Sequence, residues 1–187
     1  FTKKGNKSDL YKLIVKFLSA IIYRAADQIN LATSEDKKFV INTFKIPEKS
    51  IEVHPNWINT DKFTYRSQES RVLKVLHVGR LSVQKNIPIL FEAFAGTGIE
   101  IDFIGSGELE NILREKAQGL GVKANFLGNF PNDDMPKIYQ SYAVYVLCST
   151  YEGNPKTLLE AMACGCSVVG TNVPGIVVMT TPTSNSF

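Results

Sequence analysis

Apolar residues recur with two periods along this chain. Near the start, Leu10, Leu13, Ile14, Phe17, Leu18, Ile21 and Ile22 fall three and four positions apart, the spacing of one face of an amphipathic helix. Gln28 to Ala32 then reads as a short strand, Thr33 or Ser34 as a helix cap, and Glu35 to Phe44 as a helix stopped by Pro47. Ile51 to His54 follows as a second strand, completing a βαβ unit. From Val72 the alternation becomes regular. Strands are predicted at 72–78, 100–104, 124–127, 143–147 and 167–170, with helices near 86–95, 108–120, 133–140 and 155–163 between them. Short runs rich in β-branched and aromatic residues, alternating with helices, predict an α/β fold with a parallel sheet and right-handed crossovers. Gly121 is placed to end the 108–120 helix and Pro131 to begin the next.

Chemistry concentrates in the stretch Thr150 to Gly165, after the apolar run Tyr142 to Leu147. Gly153-Asn154-Pro155 breaks that run and opens a helix, with Pro155 where a helix start tolerates proline. The amides of Lys156, Thr157 and Leu158 are then expected as unpaired first-turn donors at the positive end of the helix dipole, an arrangement suited to a diphosphate. Glu152 lies before the helix and Glu160 within it, so one carboxylate can face a sugar while the other faces a ribose.

The two glutamates, with Glu152-Gly153-Asn154-Pro155 opening the helix and Glu160-Ala161-Met162-Ala163-Cys164-Gly165 closing it, resemble the donor site of the retaining GT-B glycosyltransferases of group 1. Val78-Gly79-Arg80-Leu81 followed by Lys85-Asn86 is similar to that family's strand-end Gly-Arg-Leu and downstream lysine. Phe103-Ile104-Gly105-Ser106-Gly107-Glu108, Phe126-Leu127-Gly128 and Gly170-Thr171-Asn172-Val173-Pro174-Gly175 match in the same order. What the resemblance implies is a Rossmann-like donor domain and transfer from a nucleotide sugar with retention of anomeric configuration. Arg80, Lys85 and Glu152 would be the catalytic residues. Gly79, Gly105, Gly107, Leu127, Gly153, Asn154, Lys156, Thr157, Leu158 and Glu160 would bind the donor. Arg80 and Lys85 would carry the diphosphate, Glu152 the sugar hydroxyls and Glu160 the ribose, with Gly105, Gly107 and the backbone at Leu127 to Asn129 bordering the base. Neither a metal nor a cofactor is expected, and the partners implied are a nucleotide sugar and a saccharide or lipid-linked acceptor, with no nucleic acid.

The same resemblance divides the chain. Residues 1–63 would be the end of an acceptor-binding domain, 64–71 a linker and 72–187 a truncated donor domain; at 187 residues the chain is expected to be a fragment of a two-domain protein. After Pro174-Gly175-Ile176 the family continues with an acidic residue, a strand and a closing helix, whereas Val177-Val178-Met179 here leads into a polar tail. His54-Pro55-Asn56-Trp57-Ile58-Asn59 resembles the family's domain crossing, with Asn59 where aspartate is usual. Turn hydrogen bonds from Asn56 and Asn59 are the expectation there. His77 is read as a packed strand residue and Asp133-Asp134 as a helix-start charge pair.

Charge and cysteines refine the picture. Net charge is +3, but residues 1–70 hold 12 basic and 8 acidic side chains against 9 and 10 in the rest, so only the front is basic. Lys3, Lys4, Lys7, Lys12, Lys16 and Arg24 surround the first helix's apolar stripe, which suits either packing on the first domain or peripheral contact with a membrane surface. The charges at Lys12, Lys16 and Arg24 interrupt the roughly 20 apolar residues that a span requires. Cys148, Cys164 and Cys166 in apolar or helix-end positions are expected as reduced thiols, consistent with a cytoplasmic protein at the inner membrane face. Two rival functions remain: a non-catalytic nucleotide-sugar-binding remnant, and a dinucleotide oxidoreductase. The second is disfavoured because Gly105-Ser106-Gly107 has no third glycine three positions on.

Overall fold

The computed structural model describes residues 7–65 and 71–180. Most of the expected linker, the tail from 181 and the lysines at 3 and 4 lie outside the described residues. The chain forms two compact units, Phe1–Pro55 and Asn56–Phe187.

The first unit holds α1 (Lys7–Ala25), β1 (Ile29–Leu31), α2 (Ser34–Phe44) and β2 (Ile51–Val53). β1 and β2 pair in parallel with Ile29 opposite Ile51, as a βαβ unit requires. Thr33 caps α2: its hydroxyl oxygen accepts from the Asp36 amide at 3.0 Å. Ile29, Val40, Phe44, Ile46 and Ile51 make a small core, which α1 reaches only through Ala20 and Tyr23. The stripe Leu10, Leu13, Phe17 and Ile22 is left exposed in this unit.

The second unit is a five-stranded parallel sheet. Its strands are β3 (Val72–Val78), β4 (Glu100–Ile104), β5 (Lys123–Gly128), β6 (Tyr142–Leu147) and β7 (Ser167–Gly170), in the order β5-β4-β3-β6-β7. The chain winds outward from β3 through β4 to β5, then returns across the sheet to β6 and β7. The strand order therefore reverses between β3 and β6, where open α/β sheets form a ligand crevice beyond the strand ends. Helices cover both faces of the central strands β3, β4 and β6, which is why these carry the longest buried runs. α3 (Pro88–Phe94) and α4 (Glu110–Gly119) pack Leu90, Phe91, Leu113 and Ala117 against Val75, Ile101, Phe103 and Val146 on one face. α5 (Met135–Ser141), α6 (Lys156–Ala163) and α7 (Pro174–Thr180) bring Tyr139, Leu158, Ala161 and Ile176 against Leu76, Val78, Tyr145 and Leu147 on the other.

Three details differ from expectation, the first being that Pro174–Thr180, read as leading into a polar tail, forms α7. α5 begins at Met135 with Pro136 in its first turn; Pro131 instead closes a turn through its carbonyl to the Asp134 amide. Asp133 is drawn out of the helix start by Lys62, whose ammonium lies 2.7 Å away and holds that carboxyl below its ordinary range. Gly121 ends α4 as expected, with φ of 65° and its amide donating to the Gln118 carbonyl. Arg71 braces the far end of α6: its guanidinium donates to the carbonyls of Tyr142, Cys164 and Gly165, each at 2.9 Å.

Candidate functional site

The loops after β3, β4 and β5 are laced together by their backbones. Gly79 N–H donates to Ile104 O, Leu81 N–H to Ser106 O and Gly105 N–H to Gly128 O, at 2.8 to 3.0 Å. This close approach is what the glycines allow. Gly105 has φ of 129°, and a Cβ there would overlap the Gly79 carbonyl; a Cβ on Gly107 would overlap that of Leu81. Both are thus required by backbone packing, whatever else they contact.

Between these loops and α6 lies a cleft of about 480 Å³, lined by Gly79, Arg80, Gly105, Ser106, Asn129, Phe130, Asn132, Met135, Thr157 and Glu160. Arg80 is exposed and has no side-chain partner among the described residues, so its guanidinium is available to an incoming anion. Leu127, 43% exposed, is not among the lining residues; the neighbouring Asn129 is, with its amide donating to Ser106 Oγ at 3.0 Å. Two cavities of similar size, about 460 and 440 Å³, open where β4 and β5, and β3 and β4, begin. They sit at the wrong end of a parallel sheet for the crevice that strand reversal creates.

Lys85 and Glu152 meet beside this cleft. The Lys85 ammonium lies 2.6 Å from Glu152 Oε1, with both side chains largely buried. Ser149, fully buried at the end of β6, donates its hydroxyl to the same Oε1 at 2.6 Å. Backbone ties hold the two loops together: Thr150 N–H donates to Gln84 O at 2.9 Å and Gln84 Nε2 to Tyr151 O at 3.0 Å. Beneath them the Cys148 thiol donates to Lys85 O at 3.0 Å, and burial pushes it up to about 11. His77 is packed, as expected, its Nδ1 3.1 Å from Val146 O. Burial, assisted by the field of Lys85, lowers its pKa to about 4, so the ring is neutral; its Nε2 is buried without a partner.

α6 presents the remaining candidates. Pro155 occupies its N-cap position and no side chain caps it. Of the three amides expected to be free, Leu158 N–H donates to Pro155 O at 3.1 Å, because the first turn tightens; those of Lys156 and Thr157 are left. Leu158 itself is buried in the core. Thr157 Oγ1 accepts from Tyr145 OH at 2.8 Å, and Glu160 Oε2 accepts from Tyr139 OH at 3.0 Å. Burial raises the Glu160 pKa, opposed by the Tyr139 hydrogen bond. Gly153 is exposed, and the Lys156 ammonium lies 5.9 Å from the ring centre of Trp57.

Asn59 makes the expected turn, its Oδ1 accepting from the amides of Asp61 and Lys62. Asn56 does not: its Nδ2 donates to the Asn154 carbonyl, fastening the segment before β3 to the loop before α6. The structure therefore brings Gly79, Arg80, Gly105, Thr157 and Glu160 into one cleft, with Lys85 and Glu152 paired alongside; Gly107, Leu127, Gly153, Asn154, Lys156 and Leu158 do not line it. Sequence reasoning missed Ser149, Tyr139, Tyr145 and Asn56 as partners of candidate groups. Only Tyr145 carried a local signal, a hydroxyl within the otherwise apolar run Tyr142 to Leu147.

Known proteins resemble most of this chain. The sequence profile described as "Glycosyl transferases group 1" matches residues 60–187. A Campylobacter jejuni N-acetylgalactosamine-N,N'-diacetylbacillosaminyl-diphospho-undecaprenol 4-alpha-N-acetylgalactosaminyltransferase is 28% identical, over 89% of this chain and 47% of its own. An Escherichia coli UDP-Gal:alpha-D-GlcNAc-diphosphoundecaprenol alpha-1,3-galactosyltransferase is 29% identical, over 94% and 50%. The chain thus spans about half the length of these relatives. Among solved structures, Anabaena HepE in complex with UDP and glucose superposes with a TM-score of 0.75 at 18% identity, covering 89% of this chain and 50% of that one. The pneumococcal O-GlcNAc transferase GtfA, in complex with UDP and GlcNAc, gives 0.69 at 25% identity over 80% and 31%. The α/β parallel-sheet architecture expected from the sequence is that of these GT-B proteins.

Proposed function

The chain belongs to the group 1 glycosyl transferases, and on that premise we propose that its cleft binds a nucleoside-diphosphate sugar for transfer to an acceptor with retention of anomeric configuration. One observation carries the reading: the free, exposed cation of Arg80 and the carboxylate of Glu160 line the same cleft, at the strand reversal and beside two free amides of α6. A diphosphate fits between Arg80, Lys85 and those amides. Glu160 accepts hydrogen bonds from ribose hydroxyls, and Glu152 from those of the donor sugar.

Cleaving the bond between the anomeric carbon and the phosphate oxygen leaves charge growing on the diphosphate while the sugar becomes oxocarbenium-like. Fixed positive groups aimed at that oxygen lower the barrier by several kcal/mol without a covalent nucleophile. We assign the first unit to the end of an acceptor-binding domain and the second, where the family match begins at residue 60, to the donor domain. The relatives named for diphospho-undecaprenol substrates support a lipid-linked saccharide as acceptor. The exposed apolar face of α1, flanked by Lys12 and Lys16, suits contact with the inner membrane surface bearing it. Among the described residues no helix is long and apolar enough to cross a membrane.

Thermal protection by UDP, GDP and ADP against NAD tests the donor reading. At least one nucleoside diphosphate should raise the melting temperature of the parent and lose this effect in Arg80→Ala. Protection by NAD alone, or undiminished protection of the variant, would refute it.

A further inference from the structure

Glu152 carries its two oxygens in different circumstances. Oε1 receives both the Lys85 ammonium and the Ser149 hydroxyl, at 2.6 Å each; Oε2 has no partner among the described residues and is not sealed off as a buried orphan. Two donors converging on one oxygen fix the plane of a carboxylate, and the other oxygen is thereby aimed. The two donors differ in kind. Lys85 arrives on a flexible stem from a short 3-10 turn, Val83–Lys85, and its ammonium keeps two further protons for other acceptors. Ser149 is rigid: it is wholly buried, and Thr171 Oγ1 donates to its carbonyl at 2.6 Å from the loop after β7. A short hydroxyl on a pinned backbone has almost no freedom to lose.

We propose that Ser149 is a positioning residue: its hydroxyl, carried on a backbone that Thr171 pins, holds Glu152 Oε1 so that Oε2 faces the hydroxyls of the donor sugar, making the β6 end a determinant of sugar recognition. The inference rests on the donor-site reading. It assigns to Ser149 no contact with the nucleotide, and this separates it from a role in the general integrity of the loop. Removing the hydroxyl leaves Lys85 paired with Glu152, so the diphosphate grip survives, but the carboxylate can swing about its remaining contact.

The test compares affinities of the 187-residue chain, by calorimetry, for UDP, UDP-glucose and UDP-N-acetylglucosamine. Ser149→Ala should weaken the better-bound UDP-sugar about tenfold, the loss expected for one charge-assisted hydrogen bond, while UDP changes less than about twofold. In a Glu152→Gln background the same substitution should have little further effect on the UDP-sugar. Ser149→Cys, nearly isosteric with a weaker donor, should fall between parent and alanine, and carries the comparison if the alanine variant does not fold. Equal loss for UDP and UDP-sugar, no loss for either, or an undiminished effect in the Glu152→Gln background would each overturn the positioning role. A parent chain that binds UDP but no UDP-sugar more tightly would overturn it as well. A parent that binds none of the three ligands would overturn this inference, while the donor-site reading would stand or fall on the thermal comparison of UDP, GDP and ADP.

Discussion

The two halves of the five-stranded sheet treat buried polar groups in opposite ways. Toward the strand starts, Asp102 on β4 is buried, yet each of its oxygens is satisfied: Oδ1 accepts from Asn125 Nδ2 on neighbouring β5 and Oδ2 from the OH of Tyr142, the first residue of β6 across β3, both at 2.6 Å. Lys74 on β3, which pairs with Glu100 at 2.7 Å, adds a cation 3.9 Å from Asp102. Toward the strand ends the polar groups sit at the end of β3 and on the loop after β6. Glu152 has an open oxygen, and His77 Nε2 and Asn154 Oδ1 are buried without partners. A fully satisfied network held on strands is scaffold, whereas the groups near the strand ends keep hydrogen-bonding capacity that the scaffold does not use.

The sharpest way to break that contrast is through glycine. Gly105→Ala, at the loop rim, places a Cβ against the Gly79 carbonyl at positive φ and should cost at least about 4 kcal/mol in urea unfolding. Gly98→Ala also has positive φ but meets open space before β4, and should cost only about 1 kcal/mol. Equal costs would mean that the loop rim is no more tightly built than the opposite one.

Acid is the next lever. His77 titrates near 6.5 when unfolded and near 4 when folded, so between those values the unfolded chain binds more protons, and stability falls as pH drops through this window. The loss should reach about 3 kcal/mol by pH 4 and vanish in His77→Gln. Glu160, with its raised pKa, acts in the opposite direction, but it is common to both proteins and cancels in their difference. An identical acid profile for parent and variant would contradict a neutral, buried imidazole.

The smallest effects separate scaffold from site directly. Tyr142→Phe should lower stability by about 1–2 kcal/mol by depriving Asp102 of a donor, with UDP affinity unchanged. Arg80→Ala should do the reverse: stability within about 0.5 kcal/mol, UDP affinity down about tenfold or more. A stability loss in the arginine variant comparable to that of the phenylalanine variant would erase the distinction.

Much of this was legible before the structure. β3, β4 and β7 occupy the spans expected at Val72–Val78, Glu100–Ile104 and Ser167–Gly170, because each is a short apolar run cut off by glycine or charge. Glu152 and Glu160 stood out because Gly153 and Pro155 mark a helix start between them, whereas Arg80 and Lys85 were singled out by the resemblance to the group 1 transferases. What local pattern could not carry was pairing across the chain. Nothing near Asn56 announces the carbonyl of Asn154, and Asp133 is claimed by Lys62 rather than by its own helix. The Leu158 amide escaped for a related reason: whether a first turn tightens depends on packing around Pro155, not on the composition of the turn.

Cys148 gives the molecule a built-in clock. Its thiol is stitched to the Lys85 carbonyl under the turn that bears that lysine, and is too well shielded to ionise near neutrality. An alkylating reagent should reach it only when this turn or the whole unit opens, so the pace of its modification should report that opening. Any compound spanning the turn and the segment ahead of α6 should slow the clock, which turns an inert core sulfur into a reporter of occupancy.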